Sequence, residues 1–353
     1  MKRKSICLSV ATLLTLILVL PLVWIQLPHV AGGGGASGEF QPADLSELNL
    51  AWGVERITAP KAWERTTGSD EVVVAVIDSG VDTSVPQLAG KIWSNANEIP
   101  ENGIDDDANG YIDDVHGWDF RDNDPSSLVG SKIHWHGTFV AGIIAAQPNA
   151  DKATGVAPGI QVMDLRFLDS RNLFYSKDWQ KFAQAIDYAV DNGAQIINLS
   201  VYANGAPPAV LEQALSRAAQ LGVIVVGIAG NDSQPQVCYP AKYPSVLAVS
   251  ATDRNDRLAS FSNYGSEVSV SAPGEKITSL FSGGIAGTSS GTSFSAPHVS
   301  GTLALILSAN PGVASSSAIE LLKQTSVDLG DQGQDSRFGA GLINAGQAVV
   351  NTS

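Results

Sequence analysis

Residues 72–77, Val-Val-Val-Ala-Val-Ile, form an unbroken apolar run rich in β-branched side chains, and no other feature restricts the fold of this chain more. A strand that alternates apolar with polar residues can keep one face in water. A strand that is apolar at every position must be covered on both faces. Such strands belong to parallel sheets, whose neighbours need long crossover connections, usually helical. The rest of the chain follows that rule. Strands are predicted at 161–168, 195–201, 222–229 and 246–251, with helices at 179–192 and 209–221 between them. A short helix at 59–65, with Pro60 in its first turn, comes before. Helices at 293–310 and 316–325 come after. This predicts an α/β fold, a mostly parallel central sheet with helices on both faces. No internal repeat is evident and no linker divides residues 50–350.

With 353 residues, 44% of them hydrophobic, the chain can build one large core or two smaller ones. A net charge of −14 argues against nucleic acid as a partner. Of the two cysteines, Cys7 lies in an N-terminal apolar run, so Cys238 is expected to be a packed thiol and not half of a disulfide. That run, Ile6 to Ile25, follows Lys2, Arg3 and Lys4 and leads to Gly32–Gly35. Positive residues before such a run direct the following chain across a membrane. Residues 1–31 are therefore expected to be a signal peptide or an N-terminal membrane anchor, and 32–49 a flexible Gly-rich, polar linker. Residues 50–353 are expected to be one domain, secreted or tethered, working as a monomer. Gly34 and Ala36 would suit cleavage before Ser37, whereas the length of the run would suit retention.

Four places carry residues suited to chemistry. Asp78-Ser79-Gly80 ends the first strand, where ligands bind in open α/β sheets. His136-Gly137-Thr138 opens a helix of small and apolar residues over 139–146, a suitable setting for a general base. Gly230-Asn231-Asp232 ends the strand at 222–229, and an amide there can donate to an oxyanion. His134, two residues before His136, is expected at the surface. The fourth place is 287–301, Gly-Thr-Ser-Ser-Gly-Thr-Ser-Phe-Ser-Ala-Pro-His-Val-Ser-Gly, a tight loop that delivers Ser293 to the start of a buried helix. Backbone N–H groups and the positive end of the helix dipole would stabilise an oxyanion at that point. Gly287–Gly291 also fits the G-x-S-x-G elbow of another hydrolase class. That arrangement needs an acid and then a histidine later in the chain. Only His298 follows, with no aspartate between, so the elbow is rejected.

Between Asp78 and His136 lies an acidic stretch. Asp105-x-Asp107-x-Asn109-Gly110-Tyr111-x-Asp113-Asp114 follows the first half of an EF-hand loop, with alternating oxygen ligands and a glycine for the turn. The closing bidentate glutamate is absent, since His116 stands there. Five carboxylates within ten residues repel one another unless a cation joins them, so a structural calcium ion is expected at Asp105, Asp107, Asn109, Tyr111, Asp113 and Asp114.

Asp78, His136, Asn231 and Ser293 make a set: an acid to orient a base, the base, an oxyanion donor and a nucleophile. Their surroundings resemble those of the subtilisin-like serine proteases. The matching pieces are Val76–Asp82, His136–Gly142, Ala229–Asn231 and Gly291–Val299, with weaker matches at Trp52–Trp63, Tyr239–Pro244 and Phe338–Ala348. The resemblance spans roughly residues 50 to 350. It implies endopeptide hydrolysis of a protein or peptide substrate through an acyl-enzyme. Asp78 would orient His136, Ser293 would attack, and Asn231 would bind the oxyanion. It further implies that Asn198, Leu199, Ser200 and Val201, with Gly230, bind the substrate along a sheet edge. The rival expectation is a catalytically silent binding protein of the same fold. Departures from the family pattern are Phe139 in place of a second histidine, and Tyr202-Ala203 where glycines usually follow the substrate strand. Asn172-Leu173-Phe174 stands in the opposite, usually glycine-bearing wall, and no folding propeptide is expected between the apolar run and Trp52.

Overall fold

The structure, a computed structural model, describes residues 50–125, 133–148 and 153–351. All of these lie in the second of two compact units, Pro42–Ser353. The expected signal or anchor segment and the Gly-rich linker lie outside the described residues, and no described helix is long and apolar enough to cross a membrane.

Two short helices, α1 (Trp52–Arg56) and α2 (Ala59–Trp63), precede β1 (Val73–Asp78), β2 (Gly117–Asp119) and α3 (Trp135–Ala145). Then come β3 (Gln161–Arg166), α4 (Trp179–Asp191), β4 (Ile196–Leu199), α5 (Ala209–Gln220) and β5 (Ile224–Ile228). The chain continues through β6 (Val246–Thr252), β7 (Val268–Pro273), β8 (Ile277–Leu280) and β9 (Ala286–Ser289). It ends with α6 (Ser295–Ala309), α7 (Ser315–Gln324) and α8 (Ala345–Val350). Seven strands form one sheet in the order β2-β3-β1-β4-β5-β6-β7, parallel at every pairing.

β1 accounts for the two-sided core. Successive side chains on a strand point to opposite faces. Val74 and Val76 enter one core with Phe139 and Ile143 of α3 and Leu303 of α6. Val73, Ala75 and Ile77 enter the other with Phe182 and Ile186 of α4 and Leu211 of α5. The helices differ accordingly. In α4 the buried residues occupy one stripe, whereas in α6 every residue from Ser295 through Ile306 is buried.

Several elements were not legible as such. β2 has only three residues, and β7 alternates valine with serine. β8 and β9 pair antiparallel as a separate ribbon, with Ile277 opposite Ser289. Ser289 therefore lies in a ribbon strand, which agrees with rejecting the elbow.

Parallel strands bring all their carboxyl ends to one edge. The strand order also reverses direction between β1 and β4: β3 and β2 follow on one side of β1, and β4 to β7 on the other. A cleft forms at such a reversal. Asp78 ends β1 there, and Ser200 and Asn231 lie just beyond β4 and β5.

His298, inside α6, has no access to water. Its Nδ1 donates to the Phe294 carbonyl at 2.7 Å, and its Nε2 has no partner. Burial lowers its pKa to about 4, against a smaller upward pull from the Phe294 carbonyl. Because the folded value lies below the unfolded one (~6.5), the neutral ring contributes stability that is complete above about pH 6.5 and is lost as pH falls towards 4. The loss should be on the order of 3 kcal/mol. Melts of the protein between pH 7 and pH 4 should show the fall, and His298→Asn should flatten it. An unchanged slope in that variant would assign the acid sensitivity elsewhere.

Candidate active site

The Asp78 carboxylate, 0% exposed, accepts the Ser79 N–H on Oδ1 at 2.7 Å. It also accepts from Nδ1 of His136, at 2.8 Å on Oδ1 and 3.0 Å on Oδ2. A buried carboxylate can accept but not donate when ionised, so the proton lies on Nδ1 and the Nε2 lone pair is left free. Local packing sets this geometry. Ser79 Oγ donates to the His134 carbonyl at 2.9 Å and accepts from the Gly137 N–H at 3.0 Å, joining the end of β1 to the start of α3. The two backbones are so close that a Cβ on Gly137 would sit 2.4 Å from the Gly80 carbonyl oxygen. Phe294 lies 5.5 Å from the His136 ring between centroids, and Phe139 backs Phe294 at 4.6 Å. Phe139 is thus a wall of this aromatic group. His134, expected at the surface, is partly buried instead. Its ring nitrogen caps α3 by accepting from the His136 N–H at 3.3 Å.

Ser293 sits in a 3-10 turn, Thr292–Phe294, that leads into α6, 8% exposed. Its Oγ donates to the Ser200 carbonyl at 3.3 Å. Ser200 Oγ donates back to the Ser293 carbonyl at 2.8 Å and accepts from Asn198 Nδ2 at 2.9 Å. Asn198 Oδ1 in turn accepts from Ser300 Oγ at 3.0 Å, so a polar chain from α6 to β4 locks the serine turn. On the other side, Asn231 Oδ1 accepts from both the N–H and the Oγ1 of Thr292 at 2.8 Å. With its oxygen held, the amide presents Nδ2 as a donor beside Gly291. Gly230 makes the preceding turn at φ +114°, where a Cβ would lie 2.5 Å from Asn263 Nδ2 and 2.7 Å from Cys238 Sγ. Cys238 is buried, between Asn204 and Asn263, and burial raises its pKa. It is the packed thiol that was expected.

His136, Asn231 and Ser293 line one cleft of about 850 Å³. Of the residues expected to bind substrate, Ser200 and Val201 line it too. Asn198 and Leu199 do not reach it: Asn198 is spent on Ser200 and Ser300, and Leu199 packs into the core under α4 and α5. Gly230 shapes the turn behind Asn231. Tyr202 lines the cleft and its hydroxyl donates to Asp232 at 3.3 Å. The opposite side carries Leu168, Asn172, Leu173, Phe174, Tyr175 and Trp179.

The acidic stretch folds differently from the expected ligand list. Carboxylate oxygens of Glu98, Asp105 and Asp107 lie within 4.8 Å of one another. Glu98 was missed because it stands outside any recognisable ligand spacing. Asp113 instead accepts from the N–H groups of Asn102 and Gly103, at 3.0 Å each. Asp114 is buried and takes the Tyr188 hydroxyl at 2.5 Å and Asn109 Nδ2 at 2.9 Å. Burial, then Asp114, raises the Tyr188 pKa, so the phenol stays protonated as the donor. The Oδ1 of Asn109 is used by the Tyr111 N–H, and the Tyr111 ring packs against Trp118 and Tyr188, 5.0 Å from each. Among the described residues no lysine or arginine pairs with Glu98, Asp105 or Asp107. An oxygen-only donor set of three carboxylates without a counter-charge fits a hard divalent cation.

Residues 69–341 match the family model of the subtilases. The chain is 34% identical to subtilisin BL of Lederbergia lenta over 85% of its length and 99% of the relative's. It is 34% identical to thermitase of Thermoactinomyces vulgaris over 88% of its length and 99% of the relative's. To a thermophilic serine proteinase of a Bacillus species it is 36% identical over 88% of its length and 70% of the relative's.

The contact between Gly137 and Gly80 generates a sharp expectation. Gly137→Ala must push α3 away from the end of β1, costing about 1–3 kcal/mol as overpacking does. It should also draw His136 off Asp78, with kcat falling on the order of 10²-fold. Melting temperature and kcat measured on the same sample check this. A stable variant with full activity would show that the two backbones tolerate separation.

Proposed function

The chain belongs to the subtilase family and is a serine endopeptidase that hydrolyses peptide bonds of proteins, and from that premise we propose how its own residues divide the work. The observation that carries the assignment is the Asp78 carboxylate on His136 Nδ1 at 2.8 Å, with Ser293 and Asn231 in the same cleft. Ser293 Oγ turns from the Ser200 carbonyl to His136 Nε2, gives up its proton there and attacks the scissile carbonyl carbon. Asp78 fixes the tautomer and stabilises the imidazolium that forms. The tetrahedral oxyanion takes hydrogen bonds from Asn231 Nδ2 and the Ser293 N–H. His136 then protonates the leaving amine, and water, activated by the same imidazole, releases the acyl group. The extended peptide lies between Ser200–Val201–Tyr202 on one side and Leu168 with residues 172–179 on the other, its backbone pairing with the Ser200–Tyr202 segment.

A fluorophosphonate probe should label Ser293, and Ser293→Ala should lose both labelling and peptidase activity while keeping its fold. Hydrolysis near the unmodified rate would hand the role to another serine. Asn231→Ala should lower kcat by roughly 10²–10³-fold with KM nearly unchanged, the range observed when the corresponding donor is removed from a subtilisin. An effect confined to KM would make Asn231 a ground-state contact.

We further propose that Glu98, Asp105 and Asp107 hold a structural calcium ion, whose charge offsets their mutual repulsion. The basic-then-apolar N-terminus supports an extracytoplasmic site of action. An ion that binds only the folded chain stabilises it by about 2.7 kcal/mol at a hundredfold excess over Kd. In a Ser293→Ala background, chelator should lower the melting temperature and calcium should restore it better than magnesium. Glu98→Gln with Asp107→Asn should abolish the difference. Identical melts with calcium, magnesium and chelator would leave the cluster as a solvated turn.

A further inference from the structure

The wall at residues 169–178 carries cleft-lining side chains on a segment with no regular structure except a single 3-10 turn at Ser176–Asp178. A loose segment would cost substrate affinity, because ordering it on binding opposes association. Its root is firm. The N–H groups of Phe167 and Leu168 both donate to the Asp78 carbonyl, at 2.7 and 3.0 Å. Beyond the root, two carboxylates and one arginine organise the rest.

Asp169 closes the first half. Its N–H donates to the Leu173 carbonyl at 2.9 Å, and its carbonyl accepts the Asn172 N–H at 2.8 Å. Its Oδ1 accepts the N–H groups of Arg171 at 2.9 Å and Leu173 at 3.0 Å, and its Oδ2 accepts the Tyr175 hydroxyl at 3.0 Å. The Arg171 guanidinium adds a bond at 3.1 Å. These bonds hold Asn172 at φ +61°, a left-handed conformation that costs a side-chain-bearing residue energy and needs such support. Slight burial works against the charge, but the bonds from Leu173, Arg171 and Tyr175 hold the Asp169 carboxyl at about 2, so it remains an acceptor at any working pH.

Arg121 closes the second half from outside. It follows β2 and is remote in sequence from every catalytic motif. Both its terminal nitrogens donate to Asp178 Oδ2, at 3.0 and 2.9 Å, and one also reaches the Leu173 carbonyl at 3.3 Å. Asp178 Oδ2 also accepts the Tyr175 N–H at 2.8 Å, and the guanidinium carbon lies 5.7 Å from the Tyr175 ring centroid. The ion pair is well shielded, with the two side chains 13% and 3% exposed. Leu173 is thus held by both devices, its N–H by Asp169 and its carbonyl by Arg121.

We propose that Arg121 and Asp169 are positioning residues of this protease, holding the 169–178 wall in its substrate-ready shape. The binding of extended peptides depends on them, whereas the chemistry at Ser293 does not. This rests on the reading of the cleft as the peptide site. Neither residue touches substrate; each acts through Leu173 and Tyr175.

The test uses Asp169→Asn, which keeps shape but halves the accepting capacity. Arg121→Lys is the second variant, keeping the charge near Asp178 without the planar fork. Each is assayed on a single-residue ester, too short to lie along the wall, and on a hexapeptide amide, with intact sites counted by the acyl-enzyme burst. The expected result is a KM for the hexapeptide raised about tenfold, equivalent to about 1.4 kcal/mol, in Asp169→Asn, and less in Arg121→Lys. Both constants for the ester should stay within about twofold, taking a factor of two as about 0.4 kcal/mol. In a Ser293→Ala background, the amides of Arg171, Leu173 and Tyr175 should exchange hydrogen faster in both variants. Equal losses of kcat on both substrates would overturn the proposal, since the residues would then serve the chemistry or the fold. Faster exchange with an unchanged hexapeptide KM would overturn it as well. If the unmodified enzyme binds ester and hexapeptide alike, the reading of the cleft itself fails, which is a separate and recognisable outcome.

Discussion

The Asp78 carboxylate is the point on which the rest of the molecule is arranged. A fully buried charge is tolerated only when hydrogen bonds replace the water it has lost. Here the replacements come from Ser79, the next residue, and from His136 on a helix that begins more than fifty residues later. Its main chain is also in use, since the Asp78 carbonyl receives two N–H groups from the segment after β3. One residue therefore binds the base, the end of the central strand and the root of the substrate wall. Satisfying the carboxylate and the carbonyl of that single residue brings three stretches of chain into register.

The same economy appears around Ser293. The serine turn is fixed from below by the chain of side chains Ser300–Asn198–Ser200 and from the side by Thr292 on Asn231. Each of these contacts is made before any substrate arrives. Donors that already point where charge will develop need no reorganisation during the reaction, which is the main reason such sites are fast. On the proposed mechanism, Asn198 and Ser300 thus belong to the catalytic arrangement although they do not line the cleft.

How much of this could be read from the chain depended on the range of the interaction. Asp78, Asn231 and Ser293 stand at the ends of strands or the start of a helix, within contiguous stretches whose residue types disclose a turn, and His136 opens a run of small residues. The sheet was legible because β1 up to Ile77 and β5 are apolar on both faces. Where an arrangement rests on a partner outside any recognisable spacing, the sequence is silent. Glu98 joins Asp105 and Asp107 without a recognisable spacing, and Asp113 and Asp114 turn to backbone N–H groups and to Tyr188 instead. Arg121 meets Asp178 across 57 positions of chain. His134 looked like a surface residue because nothing in one dimension shows that its ring folds back onto the His136 N–H. The three-residue β2 and the β8–β9 ribbon are set by their neighbours and not by their own propensity.

The burial of α6 has a consequence for how the enzyme dies. Segments that open locally are those with few buried contacts, and their opening costs much less than global unfolding. The helix that follows the Ser293 turn is enclosed from Ser295 through Ile306 and touches α3, α7, α8 and five strands of the sheet. From Ser295 through Ile306 it cannot open without disturbing the core, so loss of this helix on heating is coupled to loss of the fold and removes molecules from the population one at a time. A preparation half inactivated by that route is a mixture of folded and unfolded chains, the folded ones working at full rate.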